Sequence, residues 1–380
     1  GYGYSQLNFK DAWAKLGDRK TLFEFVYLVT QNEQLTDKIR AQIALLKDEV
    51  NVGKMIPPEL HLLRLVAVAS AYESRLDLIK LVDSVGIPEP TRTLQRFSNE
   101  YLLRTSNDGR YVEGFHAIRS EIIAAELTDP VLNPRGEIET ALPRIIVEDD
   151  LESFLLCSFS RYEIAAQDIV KSLYGLPLRT WVGTRAVLVA IQWLGLKLYA
   201  DENIELIDEV RSLSVMSWWI TLDWDLAQVK GQEGFGFFRA LAKKSKEFDI
   251  AATVSEEFQI RQTDKNRVFT LAVEWLRSFR IPTEDATSVS QFMAMGEVLY
   301  WLGHLELTNL YVMDWLNVNI ISNAWEALPD HLFAQFALGV QQCSQETYDT
   351  WFKNNDVKLR ARIRESSSII ALVKEDDCLV

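Results

Sequence analysis

Apolar residues recur at helical spacing along most of this chain, and a single tight-turn signal interrupts them. Leu22, Phe25, Val26 and Val29 mark one helical face, and Leu35, Ile39, Ile43 and Leu46 mark another. Thr30, Gln31 and Asn32 supply polar turn chemistry between the two. Gly53 to Pro58 closes this block, with Pro57 and Pro58 placed to start the next helix. From Glu59 the pattern predicts three helices. The first runs through Leu60, Leu63, Val66 and Val68 to about Tyr72, and the second from Asp77 to Val85, ending on Gly86 as C-cap. A third carries Leu94, Phe97, Tyr101 and Leu102. Strand-like residues 102–105 and 110–113 then flank Asn107-Asp108-Gly109, where an Asp-Gly pair favours a hairpin turn with positive φ at both positions. Three helices and a hairpin are the winged helix-turn-helix arrangement, and a further helix is expected from Ala117 to Leu127.

The expected fold class is mainly α, in three parts. A helical block covers 1–56, a winged-helix domain with a small β-hairpin wing covers 57–133, and an α region resembling helical repeats covers 134–380. In the last part, amphipathic segments are expected at about 151–173, 182–200, 268–280, 290–302, 305–316 and 332–343. Their succession suggests a solenoid or packed helical hairpins, although the tetratricopeptide period of about 34 residues does not emerge. Residues 216–224 read equally as buried helix or strand, and Gly231 to Gly236 as a loop. The chain opens on Gly1 without an initiator Met and closes on a strand-like run, Ser368 to Val373, with no pairing partner after it. Together these suggest a piece of a longer protein.

Charge narrows the partners. The net charge of −14 leaves no general surplus of Lys and Arg to neutralise phosphates, so nucleic acid is a disfavoured main partner. The three cysteines, Cys157, Cys343 and Cys378, form no CxxC and no even framework, which fits a reducing compartment. Trp181 to Leu198 comes closest to a membrane span, but Arg185, Gln192 and Lys197 interrupt it. No membrane association and a cytoplasmic location are expected.

Catalytic motifs are scarce. Neither Val52-Gly53-Lys54-Met55 nor Leu16 to Thr21 has the two glycines of a Walker A phosphate cradle, and both read as ordinary loops. His61, His116, His304 and His331 show no HExxH and no Cys/His cluster, so no metal site is expected. Nor is there a GxSxG elbow or an activated cysteine. The chain by itself is not expected to be an enzyme. The informative stretch is Tyr111 to Ser120, where His116 stands directly after the wing at the start of a helix. The dipole there disfavours a cation, so an imidazole makes sense if its ring nitrogen and the first backbone amides face an anion. The plainer reading, favoured by residue physics alone, is that His116 caps a packing seam between wing and helix.

Gly-Phe-His-Ala-Ile-Arg-Ser-Glu-Ile-Ile, positions 114–123, resembles the Met-His-Asp-Leu-type motif in the winged-helix domain of STAND ATPases. That family includes apoptotic adaptors, plant resistance proteins and bacterial antiviral (Avs-like) sensors. Trp13, the run Leu22 to Gln31, and Gln42-Ile43 resemble the helical lid after an ATPase core, and Glu100 to Arg104 the approach to the wing. The resemblance covers roughly residues 9–128. It implies that His116 contacts the β-phosphate of ADP and holds a closed state, with Arg119 as a second phosphate or interdomain contact and a solvated helix face as its plain alternative. Ala117 stands where the motif has Asp, so one companion contact is missing. The resemblance further implies ADP or ATP with Mg held by an upstream ATPase domain, an N-terminal effector, and a sensor arm over 135–380. A protein trigger, such as a phage protein, would bind the arm and drive homo-oligomerisation. Two competing readings are a STAND-type transcription regulator and a helical scaffold without nucleotide. In the former, the candidate recognition helix offers Arg92 and Arg96 but also Glu89 and Glu100.

Overall fold

A computed structural model describes residues 35–161, 163–202, 262–305, 307, 308, 312 and 330–354. The expected helix around Leu22 to Val29, the 216–224 segment, the Gly231 loop, most of 305–316, the 368–373 run and Cys378 lie outside the described residues. Among the described residues the fold is mainly α with one small three-stranded antiparallel sheet. The chain divides into two compact units, Gly1–Ser172 and Leu173–Val380.

In the first unit α1 spans Leu35–Asn51 and buries Leu35, Ile39, Ile43 and Leu46, the stripe anticipated from their spacing. Helix α2, Pro57–Ala71, has Pro at its first position, and the Glu59 carboxylate accepts the Ile56 N–H at 3.0 Å. It is the centre of the unit, because Leu62, Leu63, Val66, Val68 and Ala69 are almost wholly buried. Strand β1, Leu76–Asp77, is too short to leave a periodic trace. Asp77 caps helix α3, Leu78–Val85, by accepting the Lys80 N–H at 3.0 Å, and Gly86 ends it in the left-handed conformation with φ 67°.

Helix α4, Pro90–Asn99, stops three residues earlier than expected. Tyr101 turns left-handed at φ 55°, and the Leu102 N–H returns to the Phe97 carbonyl at 2.9 Å, so Tyr101 and Leu102 fall outside the helix. This is the glycine-type helix terminus built with a tyrosine. The hairpin follows as β2, Arg104–Thr105, and β3, Tyr111–Glu113, with β3 in the middle of the sheet order β1-β3-β2. Its turn differs from the expectation. Only Gly109 has positive φ, 68°, and the Gly109 N–H bonds the Ser106 carbonyl at 3.0 Å. The Ser106 hydroxyl and the Asp108 carboxylate take the Arg110 N–H, at 3.1 and 3.2 Å, which holds the longer loop. Helix α5 then spans Ala117–Leu127 as anticipated, and packs on α1 and α2.

Residues after α5 stay with this unit. Helix α6, Arg135–Ala141, leads through a 3-10 turn to Ile146, which pairs with Leu76 of β1. The Asp77 N–H bonds the Ile145 carbonyl at 2.8 Å and the Val147 N–H the Arg75 carbonyl at 3.1 Å. Asp150 then accepts from the Arg75 backbone N–H and from Nε and Nη2 of its guanidinium fork, at 2.7 to 2.9 Å. Helices α7, Leu151–Arg161, and α8, Glu163–Leu173, follow, where one longer segment was expected.

One titratable group couples this unit to pH. His61 of α2 is half-buried, and Arg64, which can only donate, places Nη1 3.2 Å from its Nδ1. Desolvation first, then the Arg64 charge, push the His61 ring below its ordinary value near 6.5. The unfolded chain therefore takes up this proton more readily, and stability is lost as pH falls below about 6.5. Urea titrations of wild type and His61→Gln at pH 7.5 and 5.5 check this. The variant is expected to lose less stability between the two pH values, and an unchanged difference would count against it.

In the second unit α9, Trp181–Glu202, packs on α10, Gln262–Arg277, and on α11, Val289–His304. The Gln291 side chain of α11 accepts the Trp181 N–H at 2.9 Å, capping the start of α9 from a neighbouring helix. Helix α12, Asp330–Cys343, lies along α11 and is followed by α13, Gln345–Asn354. Phe333, Phe336, Tyr348 and Trp351 form an aromatic cluster between the last two, with Phe336 and Trp351 edge to face at 6.0 Å. No described helix is long and apolar enough to cross a membrane.

Candidate functional site

Gly114 begins the junction between wing and α5. Its N–H donates to the buried Ser70 hydroxyl of α2 at 2.7 Å. A Cβ built on Gly114 would overlap the Ser120 hydroxyl of α5 and stand 3.2 Å from the Ser70 Cβ. Glycine fits this close approach without displacing either serine, and its φ is not in the left-handed region. Phe115 follows, 37% exposed, its ring 5.8 Å from that of Tyr101, which is itself 66% exposed.

His116 is the N-cap of α5, in extended backbone with φ −163° and ψ 140°. Its Nδ1 accepts the Ile118 N–H at 3.2 Å. The ring does the work usually given to Ser or Asp, satisfying one of the first-turn amides that the helix leaves without an internal partner. An imidazole that accepts at Nδ1 is the neutral tautomer, so its proton sits on Nε2. The residue is exposed, on the solvent side of the junction. Of the two site residues expected from sequence, Arg119 lies half-buried in the same first turn, so the structure brings both to one helix start.

The cap also alters the anion argument made from sequence. There the ring and the first amides were expected to face an anion side by side; here the ring itself occupies the Ile118 amide. Sequence reasoning missed Ser70, Ser120 and Tyr101. Gly114, between a strand and a helix, was the one available signal, because a glycine at such a junction often marks close backbone approach.

Nearby charges are mutually engaged. Arg96 of α4 binds Glu49 of α1, and also Glu100 at 3.0 Å. Those carboxylates, Glu49 first, push its guanidinium further up from an already high value. Arg92 pairs with Glu89 at 3.1 Å and Arg104 with Glu113 at 3.0 Å. Among the described residues no cluster of His, Cys, Asp or Glu is arranged to hold a metal. Comparison with protein-family models, with curated proteins and with solved structures finds no match to this chain.

Proposed function

We propose that this chain is the nucleotide-dependent switch and ligand-sensing segment of a STAND ATPase, acting in bacterial antiphage defence in the cytoplasm. His116 supplies a hydrogen-bond donor, Nε2–H, to the β-phosphate of ADP held with Mg by the ATPase domain of the same protein. The observation that supports this reading is the cap itself: acceptance at Nδ1 fixes the neutral tautomer and the ring's orientation at an exposed helix start. Arg119, in the same first turn, is the second candidate contact. The helical second unit is the surface for a protein trigger, whose binding favours an open, ATP-loaded, homo-oligomeric state. Linkage requires only that the trigger bind that state more tightly than the closed one.

Two substitutions test it in the full-length protein. His116→Ala is expected to lower ADP retention about tenfold, the loss of one charge-assisted bond, and to raise activity without trigger. His116→Asn keeps a strong N-cap, so it should restore stability while leaving ADP retention low. Retention and basal activity unchanged in both variants would remove His116 from the switch. The transcription-regulator reading is weakened by the pairing of Arg92, Arg96 and Arg104 with carboxylates, which leaves α4 and the wing without surplus positive charge.

A further inference from the structure

We infer that Ser70 is the positioning residue of His116, a role that rests on the reading of His116 as an anion donor. Ser70 lies 44 residues from Gly114 in sequence, in the last turn of α2, and only 6% of it is exposed. A serine within a helix commonly turns its hydroxyl back to a carbonyl of its own preceding turn. Here the oxygen also accepts from outside the helix, taking the Gly114 N–H at 2.7 Å. That bond fixes the backbone two residues before the imidazole.

The rest of the joint leaves little slack. The face of Gly114 that would carry a Cβ is filled by Ser70 of α2 and Ser120 of α5, so both helices crowd that face of its backbone. Ser120 is tied to His116 in turn, since its N–H bonds the His116 carbonyl at 2.9 Å. Only the dihedrals of Phe115 and His116 then separate a fixed point from the ring. The Nδ1 bond to Ile118, at 3.2 Å, is long enough that a small relaxation of Gly114 would break it. The Ser70 hydroxyl sets the angle at which the imidazole leaves the wing.

The test uses the 380-residue chain. Ser70→Ala is expected to speed exchange of the Ile118 amide about fivefold, as for the loss of one ordinary hydrogen bond, and to shift the His116 ring resonances. Thr93→Val is the control. Thr93 is equally buried in the same unit and donates to Glu59 at 2.6 Å, but it has no part in the joint. Its loss should leave the Ile118 and His116 signals in place. Ser70→Cys keeps the volume with a weak acceptor, and shows the same direction of change should the alanine variant fail to fold. The inference is overturned if Ser70→Ala and Ser70→Cys leave both signals unmoved, or if Thr93→Val moves them as much. Titration with ADP separates the two ideas. In the full-length protein, wild-type ring resonances that ignore ADP refute the nucleotide reading, whereas the amide exchange in the 380-residue chain still decides the role of Ser70.

Discussion

Arg135→Ala is expected to destabilise the first unit by about 3–5 kcal/mol, the range for removing one partner of a buried ion pair. Arg135 of α6 is the hinge of a buried polar network. Its side chain is 9% exposed and makes two parallel bonds of 2.9 Å to Glu121 of α5. It also donates to Glu139 at 3.1 Å and lies over the Tyr72 ring with its guanidinium carbon 5.1 Å from the centroid. Glu139 is fully buried, at 0% exposure, and takes a second bond of 2.5 Å from the Tyr72 hydroxyl. Without Arg135 that carboxylate keeps only a neutral donor among these partners, which is why truncation should cost far more than a surface pair. The triple variant Tyr72→Phe, Arg135→Met, Glu139→Leu removes every buried member together. It is expected to recover most of the loss, while Glu121, closer to solvent, can hydrate. Urea denaturation of the three proteins decides the matter. A loss below about 1 kcal/mol for Arg135→Ala would mean that the network is effectively solvated.

The same network shows where sequence reading stops. Helix boundaries were legible wherever the signal was local. Pro57 opens α2, Asp77 and Gly86 bracket α3, and Ala117–Leu127 is a helix over the expected residues. These are caps and turns whose chemistry acts within four residues. Tyr101 defeated the same logic, because a tyrosine adopts the left-handed terminus that composition reserves for glycine. Strand β1 and its partner at Ile146 are two residues and one bridge, stabilised by pairing 70 positions apart rather than by alternation. Arg135 and Glu139 stand four residues apart, a spacing that solvated pairs share; their burial depends on Tyr72 and Glu121 arriving from other helices. At the candidate site, His116 was visible as an oddity at a helix start. The hydroxyl that holds its backbone comes from α2 and leaves no local mark.

Gly339→Ala should lower the melting temperature of the second unit by roughly 4–8 °C, although helix propensity alone favours alanine by about 1 kcal/mol. The sign is decided by what faces the glycine. Gly339 of α12 packs against Gly296 of α11, and a Cβ there would overlap the Gly296 carbonyl and stand 3.0 Å from its Cα. Flexible side-chain atoms could swing aside, but these are helix backbone atoms, so the two helices would have to separate. Further along the pair, a Cβ on Gly303 would overlap the Gln342 carbonyl and reach 2.6 Å from the Cys343 nitrogen. Glycine at both positions therefore permits a separation that no other residue allows. Overpacking of this kind costs about 1–3 kcal/mol, and more where the obstacle cannot move. Gly303→Ala should act in the same direction. The double variant should lose less than the sum of the two, because helices already pushed apart at one contact relieve the other. Hydrogen exchange gives the local check, with amides of α11 and α12 losing protection while those of α2 and α5 do not. A Gly339→Ala protein that melts at or above the wild-type temperature would show that propensity wins and that the close helix contact is not a structural requirement.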